Sequence, residues 1–328
     1  MSKHDLTSTD GDIRIRRHYG FTRRLLRLSD MVFPNFTRLI AWCVVALLVF
    51  ILVILFIEAW DAIRINGWGF FTGITWDPVG GVYQAIPAIF GTLLSSILAL
   101  AIAVPVSIGT AVFLSEIAPV WLRNVASFII EMLAAIPSVI IGLWGLFVLV
   151  PFVRDHVQGW LGDNLGFLPF FQGQPYGVGF ISAAIILAIM IIPIITSMSR
   201  EVLRSVPNAQ REAMFALGAT RWETINRVVL PYGRSGLVGA VILGLGRALG
   251  ETMAVTMVIG NSYKISWSLF SPGTTIPAKV ASEFGESGGL ARSTLIELVL
   301  VLFAITLLVN VVARLLVWRV TRGKTVKE

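Results

Sequence analysis

The chain has 328 residues, of which 56% are hydrophobic and 14% charged, with a formal net charge of +7. A soluble domain carries roughly 25% charged residues. Too few charges are present to cover a globule of this size in water, which excludes a water-soluble enzyme. The basic residues flank apolar runs, so the positive balance reads as membrane topology and not as nucleic-acid binding.

In chain order, residues 1–35 form a polar, Arg-rich tail, with Arg23, Arg24 and Arg27 placed for lipid headgroups. No cleavable signal peptide is expected: the charged region is too long, and the first apolar run is a full span. Six apolar segments follow, at about 36–58, 88–114, 125–152, 178–198, 236–259 and 293–318. Each approaches or exceeds the ~20 residues that carry a helix across ~30 Å of hydrocarbon. The spans are read as helices, because in lipid a segment must satisfy its own backbone polar groups. The fold class is all-α integral membrane, with a six-span domain over 36–319 and a short tail at 320–328.

Six spans put both termini on one side. The terminal tails and the 115–124 and 199–235 loops hold 20 Lys and Arg, and the other three loops hold five. That bias places both termini in the cytoplasm. The 59–87, 153–177 and 260–292 loops are rich in Gly, Pro and aromatics, as in Asn66-Gly67-Trp68-Gly69-Phe70-Phe71. Trp42, Trp60 and Trp318 lie near span ends and read as interfacial anchors.

The largest cytoplasmic loop has internal order. Pro207-Asn208-Ala209-Gln210 can start a helix and Gly218 can end it; a second amphipathic piece runs to Leu230 and is stopped by Pro231. This stretch resembles the "EAA" loop of ABC-importer permeases, which reads Glu-Ala-Ala, three residues, Gly, nine residues, Ile, one residue, Leu-Pro. Glu212, Ala213, Gly218, Leu230 and Pro231 keep that spacing, while Met214 replaces the second Ala and Val228 the Ile. The resemblance implies a coupling loop at 208–231 that docks into an ATPase partner. A plain amphipathic loop helix capping the bundle is the alternative.

Four ionisable residues lie inside apolar segments: Glu131, Arg247, Glu251 and Glu297. An unpaired charge at mid-bilayer costs at least about 2.5–3.5 kcal/mol, so each should face a cavity or a partner. At 100° per residue, Ala240, Gly244, Arg247, Glu251, Ala254 and Val258 fall within about 40° of one line. The charges thus share a helical face with small residues, as an interior face would. Arg247 and Glu251 form an i,i+4 pair. A planar guanidinium suits phosphate-like oxyanions, so the functional reading is an anion site on a translocation route; an ion pair between helices is the alternative. Glu131 and Pro137 are gating candidates, and Pro105 and Pro193 are further hinge candidates. Glu297 reads as a snorkelling or helix-contact residue.

The run Gly244-Leu245-Gly246-Arg247-Ala248-Leu249-Gly250-Glu251-Thr252-Met253-Ala254-Val255-Thr256 resembles the signature of PstC-type permeases of phosphate-specific ABC importers. Tyr83 to Thr92, Ala103-Val104-Pro105-Val106-Ser107 and Leu133-Ala134-Ala135-Ile136-Pro137-Ser138 agree with it. The likeness covers about residues 80 to 318. It implies a bacterial plasma (inner) membrane protein and an ATP-driven import of inorganic phosphate, with Arg247 and Glu251 as translocation residues. The implied partners are a second, PstA-like permease, an ATPase subunit dimer, an extracytoplasmic phosphate-binding protein and the lipid bilayer. Permeases for sulfate or molybdate, and an ATP-independent transporter or channel, are the rival readings.

No cofactor, metal site or catalytic constellation is expected. Gly323-Lys324-Thr325 imitates the end of a P-loop, but Trp318 stands where that motif needs its first Gly, and no strand precedes it. ATP is therefore expected on a partner. His4, His18 and His156 are scattered, and the lone Cys43 allows no disulfide within the chain.

Overall fold

The computed structural model describes residues 9–322, with side chains for 33–315 and Trp318. His4 and the Gly323-Lys324-Thr325 tripeptide lie outside the described residues, as do the side chains of Arg23, Arg24 and Arg27 and the ends of the two expected tails. The chain divides into two compact units after Ile57. The first is the leading part of a helix, α1 (Thr9–Asn66), which contains Pro34 and carries an exposed apolar surface from Phe33 to Ile57.

The second unit holds the rest. A two-stranded antiparallel hairpin, β1 (Trp76–Asp77) and β2 (Val82–Tyr83), precedes α2 (Ile86–Val112), and Trp76 faces Tyr83 in the register. Next come α3 (Val120–Ala134), α4 (Ser138–Leu165), α5 (Phe180–Arg204), α6 (Asn208–Ala216) and α7 (Arg221–Leu249). The unit closes with α8 (Met253–Val258), α9 (Ile276–Glu283) and α10 (Gly289–Arg322). Among the described residues, six helices are long and apolar enough to cross a membrane: Phe33–Phe71, Ile86–Ile117, Ser138–Leu165, Phe180–Arg204, Arg221–Leu249 and Gly289–Leu315.

The centre of the unit is α5, flanked by α2, α7 and α3. Small residues make the α2–α5 packing possible. Along α2, Ala88, Thr92, Ser95, Ala99, Ala103, Ser107 and Ala111 are buried at three- or four-residue steps, so one face carries almost no bulk. Against it α5 buries Ala183, Ile186, Leu187, Ile191 and Ile195. Hydroxyls on the stripe turn inward on their own helix: Thr92 Oγ1 donates to the Ala88 carbonyl at 2.7 Å, and Ser95 Oγ to that of Gly91 at 2.7 Å. Gly91 permits a closer approach, because a Cβ there would collide with the Thr274 carbonyl.

Three expectations need correction. The third span is not 125–152. Pro137 has no N–H to donate and takes an extended ψ of 136°, which ends one helix and starts the next. The result is a separate α3 packed on α5, then a span from Ser138 to Leu165. Pro137 thus sits at a helix start and not inside a span. Second, Pro231 does not stop a helix. The preceding turn, Ile225–Val229, widens to i→i+5 bonding, with Leu230 N–H donating to the Ile225 carbonyl, and α7 runs on through the proline from Arg221. Third, the segment expected as one helix over 236–259 is broken at 250–252, between α7 and α8.

Candidate functional site

The break between α7 and α8 holds the two charges that the sequence places together. Gly250 caps α7, and its N–H donates to the Gly246 carbonyl at 3.3 Å. Glu251 then leaves helical bonding. Its side chain is 6% exposed, and Oε1 accepts from the Ala254 N–H at 3.4 Å, in the first turn of α8. That amide is one of the orphan donors of a helix start. Oε2 of Glu251 stands 3.5 Å from Nη2 of Arg247, whose side chain is 48% exposed. The pair therefore joins a buried carboxylate to a guanidinium that is half free.

Burial along this stretch differs from the expected single face. Ala240, Gly244, Ala248, Glu251, Ala254 and Val258 are buried, while Arg247 projects beside them into the open. It lines an open groove of about 550 Å³ with Gly239, Gly246, Asn310 and Arg314, between α7 and α10. Two guanidinium groups and an amide thus border one open groove, whose other walls are Ile194, Ile242, Leu243 and the two glycines of α7. Gly142 brings α4 close to α8: a Cβ there would sit 2.9 Å from Ala254 Cα.

The other membrane charges separate. Glu131 is exposed on α3 and borders a cleft too narrow for water, shared with Ser127, Thr196 and Arg200. Within it Arg200 Nε and Thr196 Oγ1 are buried without a hydrogen-bond partner. Glu297 is buried and accepts from Asn66 Nδ2 at 2.9 Å, which makes it a helix-contact residue.

The 208–231 segment splits in two. Glu212 and Ala213 lie exposed on α6, and Gly218 follows it with φ +81°, where a residue without Cβ is favoured. The Ala219 N–H then donates to the Met214 carbonyl at 3.1 Å, closing a Schellman turn. Phe215, Leu217 and Trp222 are exposed nearby, Leu217 by 84%. Leu230 and Pro231 are not on this corner; they belong to α7, where Leu230 packs on the Leu203, Val206 and Val229 cluster.

Three features escaped the sequence reading. Thr220 and Glu223 form a capping box at the start of α7, with the Thr220 N–H donating to Glu223 Oε2 at 2.9 Å; the Thr-Arg-Trp-Glu spacing is its local signal. Arg211 on α6 pairs with Glu116 after α2, at 2.8 Å. Lys279 on α9 is bound to Glu283 at 2.5 Å and sits over the rings of Trp76 and Tyr263 at 4.9 and 4.7 Å. Trp76 Nε1 also donates to Glu283 at 2.9 Å, which ties the hairpin to α9. Burial pushes the Tyr263 phenol well above its usual range, and its hydroxyl donates to the Gln84 carbonyl at 2.6 Å.

Residues 107–322 match the family described as "Binding-protein-dependent transport system inner membrane component". The chain belongs to this family. As a member it is the multi-pass inner-membrane permease of a bacterial ABC importer, working with a partner permease, an ATPase and a periplasmic binding protein. It is 50% identical over 301 residues to "Phosphate transport system permease protein PstC" of Haemophilus influenzae, covering 90% of this chain and 96% of that one. The protein of the same name from Pasteurella multocida is 48% identical, with 94% and 98% covered. Among solved structures, a bacterial alginate ABC transporter in complex with an alginate-bound periplasmic protein superposes at TM-score 0.60 and 18% identity, covering 93% of this chain and 98% of that one. The MetNI methionine ABC transporter in an inward-facing form gives 0.51 at 18% identity, covering 73% and 94%. These likenesses carry the fold alone.

Proposed function

We propose that this chain is the PstC-type permease of an importer for inorganic phosphate, paired with a PstA-like second permease. An ATPase dimer docks on 208–231, an extracytoplasmic phosphate-binding protein delivers the ligand, and the chain itself holds no cofactor, ATP being bound by the partner. The observation that carries the substrate is Arg247: a half-exposed guanidinium, held by a buried carboxylate at 3.5 Å, at a helix break bordering an open groove. Its free N–H groups offer the planar, paired donors that a tetrahedral oxyanion accepts. Glu251 fixes the guanidinium and can accept from a protonated oxygen of the ligand. Near-half identity to relatives named as phosphate permeases supports the same substrate.

Outside the spans of the fold, the tails and the loops on their side hold 13 Lys and Arg against two in the other loops, a bias that supports both termini and α6 in the cytoplasm. In that orientation the exposed Phe215 and Leu217 present an apolar corner to the ATPase. ATP binding closes the ATPase dimer and turns the cavity outward; hydrolysis and release turn it inward. The test is the reconstituted complex with its binding protein. Phosphate should stimulate ATP hydrolysis and uptake, while sulfate and molybdate should neither stimulate nor compete. Stimulation by sulfate at equal concentration would reassign the cargo.

A further inference from the structure

On the coupling reading of 208–231, the chain on either side of α6 is a poor transmitter of force. Before α6, the chain turns at 205–207, where Pro207 is extended with ψ 134°. After it, Gly218 stands in the left-handed region with open space around it. A short helix hung between two turns can tilt without moving the spans. Something else must make it rigid with the bundle.

Arg211 is that link. Its Nη2 and Nε donate to the two oxygens of Glu116, at 2.8 and 3.2 Å, a two-pronged pair. The same guanidinium donates to the carbonyls of Leu203 at 2.9 Å and Val206 at 2.5 Å, and to Asn208 Oδ1 at 3.3 Å. Only 14% of the arginine side chain and 11% of the glutamate side chain are exposed, so water screens the pair weakly. One planar group therefore fastens the end of α5, the start of α6 and the turn Phe113–Ile117 that ends α2. The α2 contact is 95 residues distant in sequence and has no covalent shortcut.

We infer that Arg211 is a positioning residue for energy coupling: it delivers displacement of the docked helix through Glu116 to α2, and thence along the small-residue stripe that packs α2 on α5. The decisive variant is Glu116→Gln. It removes the charge and one of the two acceptors that tie the guanidinium to α2, but leaves the guanidinium on the carbonyls of Leu203 and Val206, so the corner that carries α6 keeps its shape. Arg211→Lys is the second variant; it keeps the charge and loses the fork.

The assay is inorganic-phosphate uptake per ATP hydrolysed, in proteoliposomes holding the whole complex and supplied with binding protein. For both variants the ATPase should stay bound and hydrolysis should remain within about twofold of wild type, while uptake per ATP falls by about tenfold, in the usual range of coupling between sites. An unchanged ratio overturns the inference. So does a loss of complex in which the surviving fraction keeps the wild-type ratio, or failure of both variants to assemble, since the pair would then serve folding alone. Phe215→Asp with Leu217→Asp separates the two ideas. If that pair of changes leaves the ATPase bound and coupled, the docking reading itself fails, whatever Glu116→Gln does.

Discussion

Replacing Arg247 by Leu tests the charge pair at the helix break. At 3.5 Å, with an effective dielectric near 20, the Coulomb attraction has a ceiling of about 5 kcal/mol. The guanidinium is 48% exposed, so water screens much of that. Exposed pairs contribute up to about 1 kcal/mol, and breaking a buried one costs about 3–5, which puts this mixed pair near 2 kcal/mol. The cost arises because Glu251 stays buried with the Ala254 N–H, at 3.4 Å, as its remaining hydrogen-bond donor. Arg247→Leu should therefore lower the unfolding temperature of the purified complex by several degrees and abolish phosphate uptake while the subunits remain assembled. Arg247→Leu combined with Glu251→Leu removes the stranded carboxylate. It should recover the thermal loss and stay inactive. Normal uptake by the single variant, or uptake regained by the double one, would refute a transport role for the guanidinium.

Gly218→Val places a β-branched residue at φ +81°; nothing lies within 4 Å of an added Cβ, so the penalty is conformational, about 1–3 kcal/mol, and co-purification of the ATPase should fall. Gly91→Ala drives a methyl group into the Thr274 carbonyl and should lower the thermal midpoint by the ~1–3 kcal/mol of an overpacked core, whereas Gly109→Ala, with open space at its Cβ, should cost nothing. Tyr263 bears on pH. Burial raises its phenol above the ordinary value of 10.0, so the folded form holds its proton longer; the stabilisation is complete below pH 10 and fades as pH rises past it. Phenolate absorbance should show Tyr263 and Tyr83, both raised by burial, lagging the other tyrosines, and Tyr263→Phe should remove its share of the lag.

The spans were legible because length and hydropathy alone decide them. Their edges were not. Residues 120–165 are apolar enough over most of their length that two registers fit equally well, and the choice falls to Pro137, which cannot donate and pushes its predecessor out of the helical region. At Pro231 the same reasoning misled, because a widened turn at Ile225–Val229 absorbs the missing donor. The Arg247–Glu251 pairing was readable from spacing, and Lys279–Glu283 has the same i,i+4 signal. Nothing local marks Arg211 for Glu116, or Trp76 for Lys279 and Glu283. Those contacts depend on where whole helices pack, and a single sequence carries no record of that.

The break at Gly250 was also invisible, since glycine is common in membrane helices and the apolar period continues through it. It changes what the pair can do. In an unbroken helix the Ala254 N–H would be committed to the Gly250 carbonyl, and Glu251 would have Arg247 alone. The interruption frees the first amides of α8, and one of them turns to the carboxylate. Glu251 is thereby held from the α8 side as well as by the guanidinium, by one amide donor at 3.4 Å. Non-helical backbone at membrane depth is tolerated only where protein buries it or a cavity borders it. Here both conditions meet within five residues: Glu251 is enclosed, and Arg247 borders the open groove. On the proposed phosphate route, a continuous helix would offer a stronger span and a worse way station for a charged cargo.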